Sequence, residues 1–431
     1  MTPANPKTSR SLRPLMFVGT GSDVGKSVLA TALCRIFRQD GHTPAPFKAQ
    51  NMALNSTLTA AGGEMGRAQA VQAEAAGIEP HTDMNPVLLK PSSDHTSQVV
   101  VDGRPVGNAD AWEYFRSEGK ELLRARAHAA FDRLAVHHNP IVLEGAGSIS
   151  ELNLRGGDIV NMSMAEYADA AVVLVADIDR GGVFASVYGS VMLQSPADRA
   201  RIKGIIVNKF RGDMRLFDEG RHLIEELVGV PVLGVVPTFD HIAIEAEDSL
   251  ALGAKNRGAA ERTDATGGAT DKINIAEKIN IAVVRLAHIS NFTDFDPLER
   301  HPRVHLYYTT DPAELQRADM VILPESSSAP DDMALLRENG AAEAIARAHA
   351  AGATVLGACT RGILDNPAAN GSPTAPAAAL ETSATPAATT TPATPAPETP
   401  AAFRQRQYDL LADHVRRHVD ISRIYEILQE K

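Results

Sequence analysis

The chain has 431 residues, a formal net charge of −11, 44% hydrophobic residues and 22% charged residues. That length allows two or three domains of about 150 residues each, and the apolar content excludes a wholly disordered chain. So acidic a chain lacks the basic footprint of a nucleic-acid binder, and no nucleic-acid partner is expected.

Two cysteines are too few for a disulfide scaffold and fit a reducing compartment. Residues 1–14 carry basic side chains without the apolar core and cleavage site of a signal peptide, and read as a flexible N-terminus. No apolar run approaches the roughly 20 residues that span a bilayer. A cytoplasmic enzyme with no membrane partner is the expectation. Residues 15–252 alternate short apolar runs with helix-length segments. The runs at 15–18, 46–48, 141–143, 171–175, 205–208 and 232–235 read as buried strands, and 28–37 reads as a helix. This rhythm predicts an α/β fold, a parallel sheet with helices on both faces.

Residues 253–271, rich in Gly, Ala, Thr and charge, read as a linker. The hexapeptide at 272–277 (KINIAE) is nearly repeated at 278–283 (KINIAV); one copy suffices for a strand, and the pair is too short for a repeat fold. A second α/β region, 272–366, places strands at 279–284, 304–308, 320–323 and 354–356, with a helix over 331–351. Residues 367–402 are nearly all Ala, Pro, Thr and Ser, cannot bury enough surface to offset their ordering entropy, and are predicted disordered. In 403–431, Leu410, Leu411, Val415, Val419, Ile421, Ile424, Ile427 and Leu428 fall at helical spacing, which predicts one or two helices with His414 and His418 in solvent.

The strongest chemical signal is Gly19-Thr20-Gly21-Ser22-Asp23-Val24-Gly25-Lys26-Ser27, which follows an apolar strand and opens a helix. Glycines there turn backbone N–H groups onto phosphate oxygens, and the helix dipole adds positive potential. ATP and Mg²⁺ are the expected cofactors: Thr20, Gly21, Asp23, Gly25 and Lys26 around the phosphates, and the Ser27 hydroxyl on the metal. The usual pattern has a glycine where Thr20 stands. Lys48 ends the second strand and so points toward the ligand crevice of an open α/β sheet. Glu144, in Glu144-Gly145-Ala146-Gly147, ends another strand and can hold Mg²⁺ opposite Ser27. Glu64 is a second metal candidate; a helix N-terminal glutamate favoured by the dipole is its plainer reading.

Several motifs carry a resemblance. The loop G-T-G-S-D-V-G-K-S and the E-G-A-G run are similar to those of dethiobiotin synthetase-like ATP-dependent enzymes. Partition-type ATPases carry an extra early lysine that Gly21, Ser22 and Asp23 lack here. F-K-A-Q-N-M-A-L-N-S at 47–56, D-I-D-R-G-G-V-F at 177–184 and H-I-S-N-F-T-D-F-D-P-L at 288–298 resemble the cobyric acid synthase family. The resemblance runs from 15 to about 359 and resumes at 403. It implies that Asn208 and Lys209, with Pro237 opposite, close the adenine side. It also implies that Lys48, Asn51, Asn55, Asp177, Asp179 and Arg180 meet the substrate. The implied reaction is ATP-dependent amidation of carboxylates b, d, e and g of adenosylcobyrinic acid a,c-diamide, with glutamine or free ammonia as nitrogen donor. Another ligase of this fold (cobyrinic acid a,c-diamide synthase or dethiobiotin synthetase) or a non-catalytic nucleotide-binding remnant remain open.

The second region departs from the family's glutamine amidotransferase pattern. Such a domain needs a cysteine nucleophile on a glycine-rich elbow and a histidine base. Cys359 stands at the nucleophile position, but Thr360 and Arg361 replace glycines. The segment expected to carry the remaining strands and the histidine is missing, Arg361 standing where that histidine would, and Glu325 replaces another glycine. A buried structural thiol at Cys359 and impaired use of glutamine are expected.

Overall fold

The computed structural model describes residues 12–91, 96–110, 119–239, 241–244, 278–287, 289, 291–326, 328–357 and 399–430. The expected linker 253–271, residues 367–398 of the Ala/Pro/Thr-rich stretch, and Cys359 lie outside the described residues. The chain forms two compact units, one of 1–90, 95–247 and 399–431, the other of 91–94 and 248–398.

In the first unit, β1 (Leu15–Gly19) leads into helix α1 (Lys26–Gln39), followed by β2 (Ala45–Phe47) and β3 (Gln50–Met52). A small hairpin, β4 (Ser56–Leu58) and β5 (Glu64–Gly66), leads into helix α2 (Arg67–Ala76). Next come β6 (Val87–Pro91), β7 (Thr96–Val101) and β8 (Arg104–Asp110), then β9 (Ile141–Glu144), β10 (Ala171–Asp177), β11 (Ile202–Phe210) and β12 (Val232–Pro237). The six strands expected from the apolar runs form one sheet in the order β12-β11-β10-β1-β9-β2, parallel throughout. Alternation along β1 sends Met16 and Val18 into one core, and Leu15 and Phe17 into another on the opposite face. Both faces are therefore covered, as a parallel sheet requires.

The second of those cores is closed by the far end of the chain. Helices Pro400–His418 and Ile421–Gln429 bring Tyr408, Leu411, Val415, Ile424, Ile427 and Leu428 against α1 and the sheet. Arg35 Nε on α1 donates to Asp409 Oδ1 at 2.7 Å, and Arg416 pairs with Asp40 at 2.6 Å. His414, expected in solvent, is 4% exposed: its Nε2 lies 3.1 Å from the Pro237 carbonyl, and its ring packs edge-on against Phe239. Burial holds this imidazole below its ordinary pKa.

A second, four-stranded sheet, β3-β6-β7-β8, was not foreseen. Its antiparallel pair β7–β8 turns through Asp102-Gly103, both with positive φ (49° and 79°). This Asp-Gly between apolar runs is the local hairpin signal that could have revealed it.

The second unit contains β13 (Ile279–Val284), β14 (Val304–Thr309), β15 (Met320–Leu323) and β16 (Thr354–Gly357), parallel in the order β14-β13-β15-β16. All four were expected. The single helix expected over 331–351 is two, Ala329–Glu338 and Ala341–Ala350, because Gly340 takes a left-handed φ of 78° that interrupts the helical path.

Candidate active site

The loop between β1 and α1 is built by close backbone approach. A Cβ on Gly19 would stand 2.7 Å from the Gly21 carbonyl oxygen and 2.9 Å from Lys26 Nζ, so the glycine requirement falls at 19 and Thr20 is tolerated beside it. The Thr20 N–H donates to the Val175 carbonyl at 3.0 Å, which anchors the loop to β10. Gly25 has a φ of 99°, and a Cβ there would lie 2.1 Å from Asn208 Nδ2. Lys26 Nζ donates to the Gly21 carbonyl at 2.9 Å and to the Gly147 carbonyl at 3.0 Å, tying the loop to the glycine turn after β9. Ser148 Oγ adds a second tie, to the Thr20 carbonyl at 3.0 Å.

Beside the loop lies a buried cluster on the last residue of β9. Glu144 is 1% exposed. Its Oε1 accepts from Ser27 Oγ at 2.8 Å and from Lys48 Nζ at 2.9 Å, and its Oε2 accepts from Gln72 Nε2 at 2.7 Å. Strand β2 carries Lys48 to this point, α1 carries Ser27 and α2 carries Gln72. A buried carboxylate is tolerated because a cation and hydrogen-bond donors surround it. The donor set suits a hard divalent cation: a hydroxyl and a carboxylate oxygen converge, and the amide oxygen of buried Gln72 has no hydrogen-bond partner among the described residues. Gln72 was missed by sequence reasoning; its signal is a glutamine pair, Gln69 and Gln72, inside an alanine-rich helix.

The other expected site residues fall in three places. Asn51 and Asn55 are buried, and Asn51 Nδ2 donates to Gln69 Oε1 at 3.0 Å. Glu64 lies on β5, ahead of α2 and not at its N-terminus, and takes Lys90 Nζ at 2.6 Å and Ser56 Oγ at 2.5 Å as partners. On the other side of the loop, Asn208 Nδ2 donates to the Val24 carbonyl at 2.9 Å, so this amide nitrogen braces the loop. Lys209, at a φ of 60°, pairs with Asp177 at 3.1 Å and reaches Asp23 through both its carboxylate and its carbonyl. Arg180 stands 3.6 Å from Asp23, and Arg211 pairs with Asp179 at 2.7 Å. Asp177, Asp179 and Arg180 thus form a salt-bridged rim against the loop. Pro237 ends β12 under His414.

Residues 15–251 match the family described as the CobQ/CobB/MinD/ParA nucleotide binding domain, and 280–361 match the CobB/CobQ-like glutamine amidotransferase domain. The fold and site therefore define a nucleotide-using P-loop protein with an amidotransferase-type second region. A cobyric acid synthase of Phocaeicola vulgatus is 63% identical over 350 residues, covering 81% of this chain and 68% of that protein. Another, from Bacteroides fragilis, is 62% identical over 351 residues with the same coverage of 81% and 68%. Among solved structures, the signal recognition particle receptor FtsY from Elizabethkingia anophelis in complex with GDP aligns at 16% identity and a TM-score of 0.32, over 55% of this chain and 61% of that one. The chain belongs to the cobyric acid synthase family, and it is an ATP-dependent amidating ligase. Among the described residues, no helix is long and apolar enough to cross a membrane.

Proposed function

We propose that the protein amidates the b, d, e and g side-chain carboxylates of adenosylcobyrinic acid a,c-diamide to give cobyric acid, using ATP and Mg²⁺. The observation that carries this reading is the meeting of half-buried Ser27 with buried Lys48 and Glu144 beside the phosphate loop. A carboxylate is a poor electrophile. Attack of its oxygen on the γ-phosphorus of ATP releases ADP and leaves an acyl phosphate. Ammonia then adds to the acyl carbon, loses a proton, and expels phosphate to leave the amide.

The loop N–H groups and Lys26 would hold the triphosphate, Lys26 exchanging its two carbonyl partners for phosphate oxygens. Ser27 and Glu144 would hold Mg²⁺, which when bound offsets charge on the phosphates. Lys48 would steady the substrate carboxylate and so supply orientation. Asn51 and Asn55 would act from the interior by shaping this segment, whereas Asp177, Asp179 and Arg180 would meet the substrate at the rim. Asn208, Lys209 and Pro237 would flank the base, and Glu64 would serve its Lys90 and Ser56 partners before any metal.

Glutamine use is proposed to be impaired, leaving free ammonia as the effective donor. After Cys359 the chain has only two histidines, His414 and His418. His414 is buried on Pro237, and His418 Nδ1 lies 2.8 Å from the His414 carbonyl in the same helix. Both belong to the first unit, on the helix Pro400–His418.

Mass spectrometry of the corrinoid after incubation with ATP, Mg²⁺ and either ammonium or glutamine tests both parts. Stepwise loss of about 1 Da per amidation is expected with ammonium, little change with glutamine alone, and none for Lys26→Ala. An unchanged corrinoid in every arm would refute the reaction, and equal turnover with glutamine would refute the impairment.

A further inference from the structure

Helix α2 carries two fully buried glutamines, Gln69 and Gln72, whose spacing places them on one face. They hold different segments. Gln69 Oε1 accepts from Asn51 Nδ2 at 3.0 Å, whereas Gln72 Nε2 donates to Glu144 Oε2 at 2.7 Å and lies 3.5 Å from the Ser27 carbonyl oxygen. Both neighbours of Gln72 Nε2 are acceptors, so the orientation of this amide is decided: flipped, it would set oxygen against oxygen. Gln72 Oε1 is then left buried without a hydrogen-bond partner among the described residues. The last torsion of a glutamate is soft and roughly two-fold. Ser27 and Lys48 both engage Oε1, whereas Gln72 Nε2 grips Oε2, a hold that resists turning of the carboxylate.

We propose that Gln72 is the positioning residue of the cation site: it presents Glu144 Oε1 to Ser27 and thereby sets how tightly this pair holds a divalent cation beside bound nucleotide. The proposal rests on the reading of Ser27 and Glu144 as cation ligands. Partners that orient a metal ligand from behind tune affinity by about 10–100-fold.

The test uses the full chain, with ADP bound and Mn²⁺ counted by electron paramagnetic resonance. Gln72→Met keeps the length of the side chain and removes its donor; Gln72→Asn keeps the amide but cannot reach Glu144. Both are expected to weaken Mn²⁺ binding by about 10-fold or more. ADP affinity in EDTA, which a disordered loop would lower, should stay unchanged. Gln69→Met, equally buried on the same helix, should lower the melting temperature without moving Mn²⁺ affinity. If both Gln72 variants bind Mn²⁺ as the parent does, or if Gln69→Met weakens it as much, the proposal is overturned. Glu144→Gln separates the two levels: should it leave Mn²⁺ affinity intact, the ligand reading itself has failed.

Discussion

At the scale of single residues, the site is organised around one buried charge. Glu144 sits, buried, at the end of an interior strand of the sheet, and Lys48 supplies the compensating cation at 2.9 Å. Burying such a pair adds little net stability, but removing one partner leaves the other uncompensated. Lys48→Met is therefore expected to destabilise the first unit by about 3–5 kcal/mol as well as to abolish amidation. Urea unfolding followed by circular dichroism checks the first effect, and a loss below 1 kcal/mol would mean that Ser27 and Gln72 suffice to hold the carboxylate. The two cysteines divide differently: Cys359 lies outside the described residues, while Cys34 is buried in α1, where burial first and the Glu144 charge second push its thiol pKa up. Cys34 is a packing residue.

At the scale of elements, α1 does two jobs. Its N-terminus opens from the phosphate loop, and its outer side is clamped by the helix Pro400–His418. Arg35 and Gln39 both donate to Asp409 Oδ1, each at 2.7 Å. The Arg35 hydrogen bond, ahead of the smaller Gln39 bond, holds the Asp409 carboxyl below the usual aspartate range. A carboxyl with a depressed folded pKa binds its proton more readily when unfolded. Its contribution is thus complete above about pH 4 and is lost as the pH falls through the folded value. Asp409→Asn should melt lower than the parent at neutral pH, with the gap closing as the pH drops below about 4. A gap that is constant across that range would assign the loss to packing and not to charge.

At the scale of the whole molecule, the first unit is discontinuous in sequence. Val419 bridges to Gly234, and a Cβ on Gly234 would meet the His418 carbonyl oxygen at 2.3 Å, so the terminal segment lies directly on β12. A chain ending at Glu398 would leave Leu15, Phe17 and the outer face of α1 without their cover. Loss of cooperative unfolding and of nucleotide binding is expected for it, by calorimetry and by ADP titration. A truncated chain that folded and bound ADP normally would show that the terminal helices are an accessory.

The strands of the six-stranded sheet and of the second unit's sheet, together with the phosphate loop, were legible because each is written locally, as an apolar run or as a glycine turn between strand and helix. Strands β3, β4 and β5 have three residues each and, unlike the equally short β2, are not apolar runs, and the β7–β8 hairpin rested on one Asp-Gly pair. Lys48, Ser27 and Glu144 could be nominated as strand or helix termini, but their convergence could not. The Gln72–Glu144 bond spans 72 residues and the Arg35–Asp409 bond 374. Composition and periodicity along the chain thus determined which segments become strands and which turn grips phosphate. Only three-dimensional packing decided that a glutamine would aim the buried carboxylate and that the chain's end would close the core on the Leu15 and Phe17 face of the sheet, because partners so far apart leave no mark on local sequence.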